Sequence, residues 1–191
     1  MVSDPPVVVY DACVLYPFHL RNLLIQLAVE RLVIARWTDA IHEEWIRSLA
    51  KAGDVSRDRL LATRDLMKAV LPEADIQDYK RHEGTVALPD PNDHHVLAAA
   101  IEAGASIILT WNLKHFPESE TAKYNVAVRD PDDFLTALCG EDAETVAAVV
   151  DAARANLRLS EPTAEEYLQA LENQGLKSFV TLIHATSSGD R

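Results

Sequence analysis

Short apolar runs alternate with longer amphipathic stretches along the first two thirds of the chain. Residues 7–10 form a continuous apolar run rich in β-branched side chains, as expected for a strand buried on both faces of a parallel sheet. Residues 32–37, 106–109 and 124–128 are similar, and residues 85–88 are a shorter candidate. The pattern predicts a sheet of several short, mostly parallel strands.

Between these runs, apolar residues recur at helical spacing. Leu20, Leu23, Leu24 and Leu27 form one face of a helix over residues 20–30. Thr38 is a predicted N-cap, and Gly104 is placed to end a helix. Further helices are predicted over residues 38–53, 56–70, 94–103 and 131–138. Strands that alternate with helices predict a three-layer α/β/α fold with a central parallel sheet.

After Gly140 the pattern indicates helices alone. We therefore predict an α/β domain over residues 5–138 and a helical C-terminal extension over residues 141–185. The first two helices of the extension each carry an apolar stripe: Val146, Val149, Val150, Ala153 and Leu157 on one, and Tyr167, Leu168 and Leu171 on the other. We expect these stripes to join the subunits of a homo-oligomer; the alternative is that they pack back on the parent sheet.

Composition indicates a protein that folds and stays in the cytoplasm. The chain has 191 residues, of which 48% are hydrophobic and 25% are charged. It contains no run of about 20 apolar residues and no basic start followed by an apolar run, so we expect neither a membrane span nor a secretory signal. Cys13 and Cys139 form no zinc-binding pair and are predicted to be reduced core thiols.

The net charge of −12 is unusual for a protein that binds nucleic acid, since phosphate-binding surfaces are generally basic. Residues 130–191 hold 12 acids and 4 bases, whereas residues 1–129 hold 18 acids and 14 bases. Metal ions bound by acidic residues of the front part would offset part of its remaining negative charge. The net charge therefore does not exclude an RNA substrate.

Several acidic residues are predicted to meet at one edge of the sheet, because ligands bind beyond the carboxyl ends of parallel strands. Asp11 follows the first strand, Asn112 follows the strand over residues 106–109, and Glu44 lies near the start of the helix after the second strand. Asp90 and Asp93 flank the turn before the next helix. Carboxylates that converge on one point predict a hard cation such as Mg²⁺ or Mn²⁺.

The histidines near these acids are not predicted to bind metal. His42, His94 and His95 have no partner at the spacing of metal ligands, and we interpret them as structural or solvated residues. Asp39 and Glu43 are interpreted as a helix-start acid and a surface charge.

The segments VVVYDACVLYP, IHEEWIRSL and LPDPNDHHVLAAAIEAGASIILTWNLKHFP resemble, in this order and spacing, the PIN-domain family of metal-dependent ribonucleases. That family includes many toxins of bacterial toxin–antitoxin pairs. The resemblance covers about residues 5–138 and implies catalytic acids at Asp11, Glu44 and Asp93, with Asp90 close by as a further metal ligand. The fourth acidic position is occupied here by Asn112.

The resemblance implies that Asp11 and Asp93 bind the principal Mg²⁺ or Mn²⁺, and that Glu44 binds a second ion or orients water. It also implies an RNA substrate and an antitoxin as a protein partner. Asn112 offers a neutral oxygen in place of a carboxylate, which weakens the case for a second metal ion more than for the first.

Two alternatives to an active ribonuclease remain. A catalytically weak or inactive PIN-like module for nucleic-acid binding or assembly is favoured by Asn112 and by the acidic C-terminal third. An aspartyl-phosphate phosphatase would carry DxDxT, but Cys13 stands at its second aspartate position. The sequence contains no GxSxG, P-loop or GxGxxG motif, so it gives no support to serine hydrolase, ATP-driven or dinucleotide chemistry.

Overall fold

A computed structural model, which describes residues 4–188, contains one sheet of four parallel strands in the order β2-β1-β3-β4. The strands are β1 (Val7–Tyr10), β2 (Ile34–Arg36), β3 (Ile107–Leu109) and β4 (Ala127–Arg129). Together with the surrounding helices, this sheet confirms the predicted three-layer α/β/α fold with a C-terminal helical appendage.

The helices are α1 (Ala12–Leu15), α2 (Phe18–Val29), α3 (Asp39–Ala52), α4 (Arg57–Val70), α5 (Lys80–Glu83), α6 (His94–Ala103), α7 (Glu118–Thr121), α8 (Pro131–Glu141), α9 (Ala143–Ala155), α10 (Ala164–Asn173) and α11 (Lys177–Ser188). Short 3₁₀ turns cover Pro72–Ala74, Pro91–Asp93, Leu113–His115 and Ala122–Tyr124. In the described part of the chain, no helix is both long and apolar enough to span a bilayer.

The strand order determines where a ligand-binding crevice lies. β1 is central and pairs with β2 on one side and β3 on the other, so the connection after β1 and the connection after β2 lead to opposite sides of β1. The carboxyl ends of β1 and β3 meet at this switch point, where open parallel sheets have their crevice. The N–H of Asp11 donates to the carbonyl of Leu109 at 3.1 Å, which extends the pairing by one residue. Asp11 and Thr110 therefore lie together at the edge.

The prediction of a strand over residues 85–88 was wrong. Val86 and Leu88 are buried, which explains the alternating apolar pattern, but the segment is irregular. The N–H of Leu88 donates to the imidazole of His94 at 3.3 Å instead of to a neighbouring strand. The sheet edge beside β2 is extended instead by a parallel bridge between Trp37 and Asp75.

The apolar stripes of the C-terminal helices are covered by the chain itself. α9 and α10 pack against α2, and α11 packs against α8 and α9. Asn22 on α2 donates to the carbonyl of Ala153 at 2.8 Å and to the hydroxyl of Tyr167 at 3.2 Å. The stripe residues are buried except for Leu157, which is partly buried. The stripes therefore pack on the α/β domain, although against its helices and not against the sheet itself, and the homo-oligomer remains a prediction.

Candidate active site

A groove of about 590 Å³ runs along the carboxyl edge of the sheet and contains most of the predicted site residues. Its walls come from α3, from the turn before α6 and from the turn after β3. The lining residues are Ala40, Glu43, Glu44, Arg47, Asp90, Asn92, Asp93, His95, Asn112 and His115. The one predicted site residue that does not line this groove is Asp11, which is buried beside it.

The carboxylate of Asp11 is held by three donors. Its Oδ1 accepts the N–H of Ala12 at 2.7 Å, which makes Asp11 the N-cap of α1. Its Oδ2 accepts the hydroxyl of Thr110 at 2.6 Å and the thiol of Cys13 at 3.2 Å. The residue is 3% exposed. Asp11 is thus both a cap and a fixed negative charge at the switch point.

Cys13 links the ends of β1 and β3. Its sulfur accepts the N–H of Trp111 at 3.2 Å, in addition to its contacts with Asp11 and Thr110. Burial, reinforced by the negative charge of Asp11, raises the pKa of the thiol to about 12, so it stays protonated at neutral pH. The predicted reduced thiol is therefore part of the crevice and not only a core residue.

Asp93 lies at the end of the 3₁₀ turn before α6 and faces other carboxylates. Its Oδ2 is 2.8 Å from Nδ1 of His115. Burial raises the pKa of Asp93 most; the hydrogen bond to His115 lowers it, and the nearby charges of Asp11 and Asp90 raise it again. The net pKa is above the usual aspartate value because burial disfavours the charged carboxylate, and the nearby charges of Asp11 and Asp90 add to the shift.

Asp90, Asp93 and His115 form a group of possible metal ligands in the described part of the chain. One ligand atom from each lies within 4.8 Å of the others. His115 was not among the predicted site residues, although it follows Asn112 by three residues in a 3₁₀ turn, where positions three apart share a face. Because Nδ1 faces Asp93, the carboxylate orients the ring, as carboxylates commonly do for ligating histidines.

Glu44 lies on the opposite wall of the groove, outside this cluster. Its Oε2 is 3.5 Å from Nε2 of His95, and 42% of its side chain is exposed. His95, interpreted above as structural or solvated, lines the groove and pairs with this acid. Glu44 is therefore placed to act on a ligand or water that enters the groove.

Asn112 lines the groove as predicted. Its backbone N–H donates to the hydroxyl of Thr110 at 3.0 Å, and its side chain makes no capping hydrogen bond to the turn that it begins. The turn is fixed through the backbone, which leaves the amide side chain of Asn112 available to the groove.

The loop after α10 contacts this edge of the molecule. Gln174 accepts the N–H of Leu20 at 2.9 Å, which caps the first turn of α2, and its amide is 3.1 Å from Nδ1 of His19. Gly175 has a φ of 106°, and a Cβ there would lie 3.0 Å from the ring of Trp111. The C-terminal helices therefore support the residues that flank the crevice.

The raised pKa of Asp93 leads to a prediction about stability and pH in the absence of divalent ions. Folding favours the protonated carboxyl, so its stabilising contribution is complete below the unfolded pKa of 3.8 and is lost as pH rises through the folded pKa. Asp93→Asn cannot ionise. We expect its unfolding free energy, relative to wild type, to increase between about pH 3 and about pH 7 in urea titrations with chelator.

Asp142→Asn is the matched control for this measurement. Hydrogen bonds from Thr145 hold the pKa of Asp142 below its usual value, so its stabilising effect is present at neutral pH and is lost as pH falls. The stability of Asp142→Asn, relative to wild type, should therefore decrease as pH rises. The same slope for both variants would contradict the raised pKa of Asp93.

Fold and groove together define an α/β protein with an acidic site at the switch point of a parallel sheet. Residues 7–114, more than half of the chain, match the family model of the PIN domain, and the chain therefore belongs to the PIN-domain family. Residues 131–185 match a second family model, the VapC50 C-terminal domain. The resemblance found in the sequence is confirmed.

One curated relative is a protein of Mycobacterium tuberculosis (strain ATCC 25618 / H37Rv) named "Putative ribonuclease VapC50". It is 51% identical to this chain over 43 residues, which cover 22% of this chain and 25% of the relative. The match thus spans a quarter of that protein's length. No solved structure was found to match the chain.

Proposed function

We propose that this protein is a ribonuclease that hydrolyses RNA phosphodiesters with Mg²⁺ or Mn²⁺ held by Asp11, Asp93 and Asp90, with Glu44 acting from the opposite wall. The observation that carries the proposal is the meeting of Asp90, Asp93 and His115 within 4.8 Å beside the buried Asp11, at the switch point of a PIN-domain sheet. The ribonuclease name of the relative supports it.

The chemistry of this donor set fits a hard divalent cation. Carboxylate oxygens are the preferred ligands of Mg²⁺ and Mn²⁺, and an imidazole is compatible with Mn²⁺. Burial raises the pKa of Asp93 most, and the nearby charges of Asp11 and Asp90 raise it further; a cation would relieve that repulsion. When bound, such an ion polarises a phosphoryl oxygen and lowers the pKa of a water ligand.

Other residues of the site would orient the metal ligands, activate water and bind the RNA backbone. Thr110 and Cys13 fix the orientation of Asp11, and His115 fixes that of Asp93. Glu44 is exposed enough to accept a proton from water or to orient it. Arg47, on the wall with Glu44, provides a cationic group for a phosphate of the RNA backbone.

We further propose that the protein is the toxin of a toxin–antitoxin pair, with a cytoplasmic antitoxin as its partner. Support comes from membership of the PIN-domain family and from the match of the C-terminal helices to the VapC50 C-terminal domain. Co-purification with the product of a neighbouring gene would identify the antitoxin directly.

The proposed activity is tested by cleavage of a generic single-stranded RNA across a Mn²⁺ titration, with wild type and Asn112→Asp side by side. We expect slow cleavage by wild type, abolished by chelator. Asn112→Asp adds the fourth carboxylate that the groove lacks, so we expect tighter binding of a second ion in calorimetry and faster cleavage.

A flat or lower rate for Asn112→Asp would mean that the added charge only increases repulsion among the carboxylates. Asn125→Asp is the matched control, because Asn125 lies two residues before β4 and does not line the groove. Metal binding without cleavage by wild type, at any Mn²⁺ concentration, would favour the alternative of an inactive PIN-like binding or assembly module.

A further inference from the structure

Two exposed aromatic residues lie close in the chain to Asp11 of the candidate active site. In the part of the chain that the structure describes, Tyr16 and Phe18 are the only aromatic residues among the strongly exposed large hydrophobics, at 39% and 52% exposure. They follow α1, the helix capped by Asp11. At a rise of about 1.5 Å per residue, Tyr16 is roughly 8 Å from Asp11 along the helix axis. We call Tyr16 and Phe18 the aromatic pair.

Arg21 fixes the turn that carries the aromatic pair. Its Nη1 donates to the carbonyls of Leu15 and Tyr16, and the residue is only 7% exposed. Its guanidinium carbon lies 5.8 Å from the ring centroid of Phe18 and 4.8 Å from that of Trp45. Trp45 is the next residue after Glu44 on α3. Arg21 therefore connects the turn that carries the pair to α3, the helix that also carries Glu44.

The charge beneath the aromatic pair is positive. Among the described residues, no carboxylate forms an ion pair with Arg21. Burial lowers the pKa of Arg21 to about 10, so the guanidinium remains charged at neutral pH. The guanidinium is buried beneath the rings, so it contributes positive potential there without contacting a ligand directly.

We propose that the aromatic pair is a stacking surface for the bases of single-stranded RNA whose backbone enters the catalytic groove. Exposed rings combined with positive charge are the features by which proteins hold single strands, because each unpaired base offers a flat face. In a duplex these faces are covered by neighbouring bases, so the surface selects unpaired RNA. This inference rests on the proposed function for the identity of the groove.

The test measures binding separately from cleavage. A single-stranded RNA containing 2-aminopurine, whose fluorescence is quenched by stacking, is titrated with the full chain in Ca²⁺ to keep the RNA intact. We expect Phe18→Leu to weaken binding about 10-fold and to abolish the quenching, since leucine keeps apolar bulk without a π face. Phe18→Trp should restore both, and a duplex of the same sequence should bind weakly in all variants.

Leu66→Ala is the matched control, because Leu66 is 65% exposed on α4. It should bind RNA as wild type does. Equal affinity of wild type and Phe18→Leu, or tight binding of the duplex, would overturn the stacking surface. Loss of affinity only in Phe18→Ala, with Phe18→Leu intact, would point to an apolar protein segment instead and would also overturn it.

Cleavage in Mn²⁺ is then measured on the same proteins. Cleavage by wild type together with binding that does not depend on Phe18 would refute the stacking surface and leave the ribonuclease proposal intact. Binding that depends on Phe18, without cleavage by wild type, would refute the ribonuclease proposal and leave the stacking surface intact.

Discussion

Asp11→Asn is expected to reduce RNA hydrolysis by more than about 100-fold without loss of the fold. Substitution of a residue that only hydrogen-bonds to a metal ligand typically lowers metal affinity or activity by about 10–100-fold. Asp11 is proposed as a ligand itself, so a larger loss of activity is expected. Asparagine keeps the cap of α1 through its side-chain oxygen but removes the charge. Initial rates in Mn²⁺, Mn²⁺ calorimetry and a thermal melt would measure activity, metal affinity and folding separately. The same result is expected for Asp93→Asn.

Asp11→Asn also has a consequence that can be observed without any metal. The charge of Asp11 contributes to the raised pKa of Asp93, so its removal should lower the pKa of Asp93 in a carboxyl NMR titration. Asp142→Asn, the same chemical change at the N-cap of α9, should leave both the pKa of Asp93 and the cleavage rate unchanged. Full activity of Asp11→Asn and Asp93→Asn would rule out the proposed site.

Gly175→Ala is expected to destabilise the protein and to impair the site from a distance. A side chain at a φ of 106° is strained by about 1–2 kcal/mol, and the new methyl group would lie 3.0 Å from the ring of Trp111. Overpacking of this kind typically adds about 1–3 kcal/mol. Displacement of Trp111 would disturb its neighbours Thr110 and Asn112. Urea unfolding and the cleavage rate of the folded fraction would measure the two effects.

Gly53→Ala provides the backbone control, since Gly53 has a φ of 89° but no atom within 4 Å of its Cβ position. It should lose stability through strain alone and keep its activity. The double variant Gly175→Ala/Trp111→Ala removes the ring that the methyl group would meet, so its destabilisation should be less than the sum of the single effects. Strict additivity would show that Trp111 does not contact residue 175 in solution.

The elements nearest the site were predictable because their sequence signals are local. The run at Val7–Tyr10 was predicted to the residue, and α3 and α6 lie within one residue of their predicted bounds. Asp11 and Asn112 follow strands, Asp90 and Asp93 precede α6, and Glu44 lies in the first half of α3. The structure places all five in or beside one groove. Their roles as metal ligands and catalytic groups remain predictions.

The remaining features depend on contacts that leave no local pattern. His115 comes near Asp93 only because the 3₁₀ turn after β3 folds towards the start of α6. Val86 and Leu88 alternate like a strand because they are buried, although their backbone pairs with no strand. α1 is too short, at four residues, to show a helical period. Burial and tertiary contact determine such features, and periodicity cannot detect them.

The cap that Gln174 places on α2 joins residues 154 positions apart in the chain. Pro17, which precedes α2, makes no side-chain cap of its own, so the first turn of this helix depends on a residue made much later in synthesis. Closing so long a loop has an entropic cost. Contacts between residues far apart in the chain slow folding for this reason. During translation, the edge that carries Asp11 and the aromatic pair therefore stays incompletely supported until residue 174 has left the ribosome.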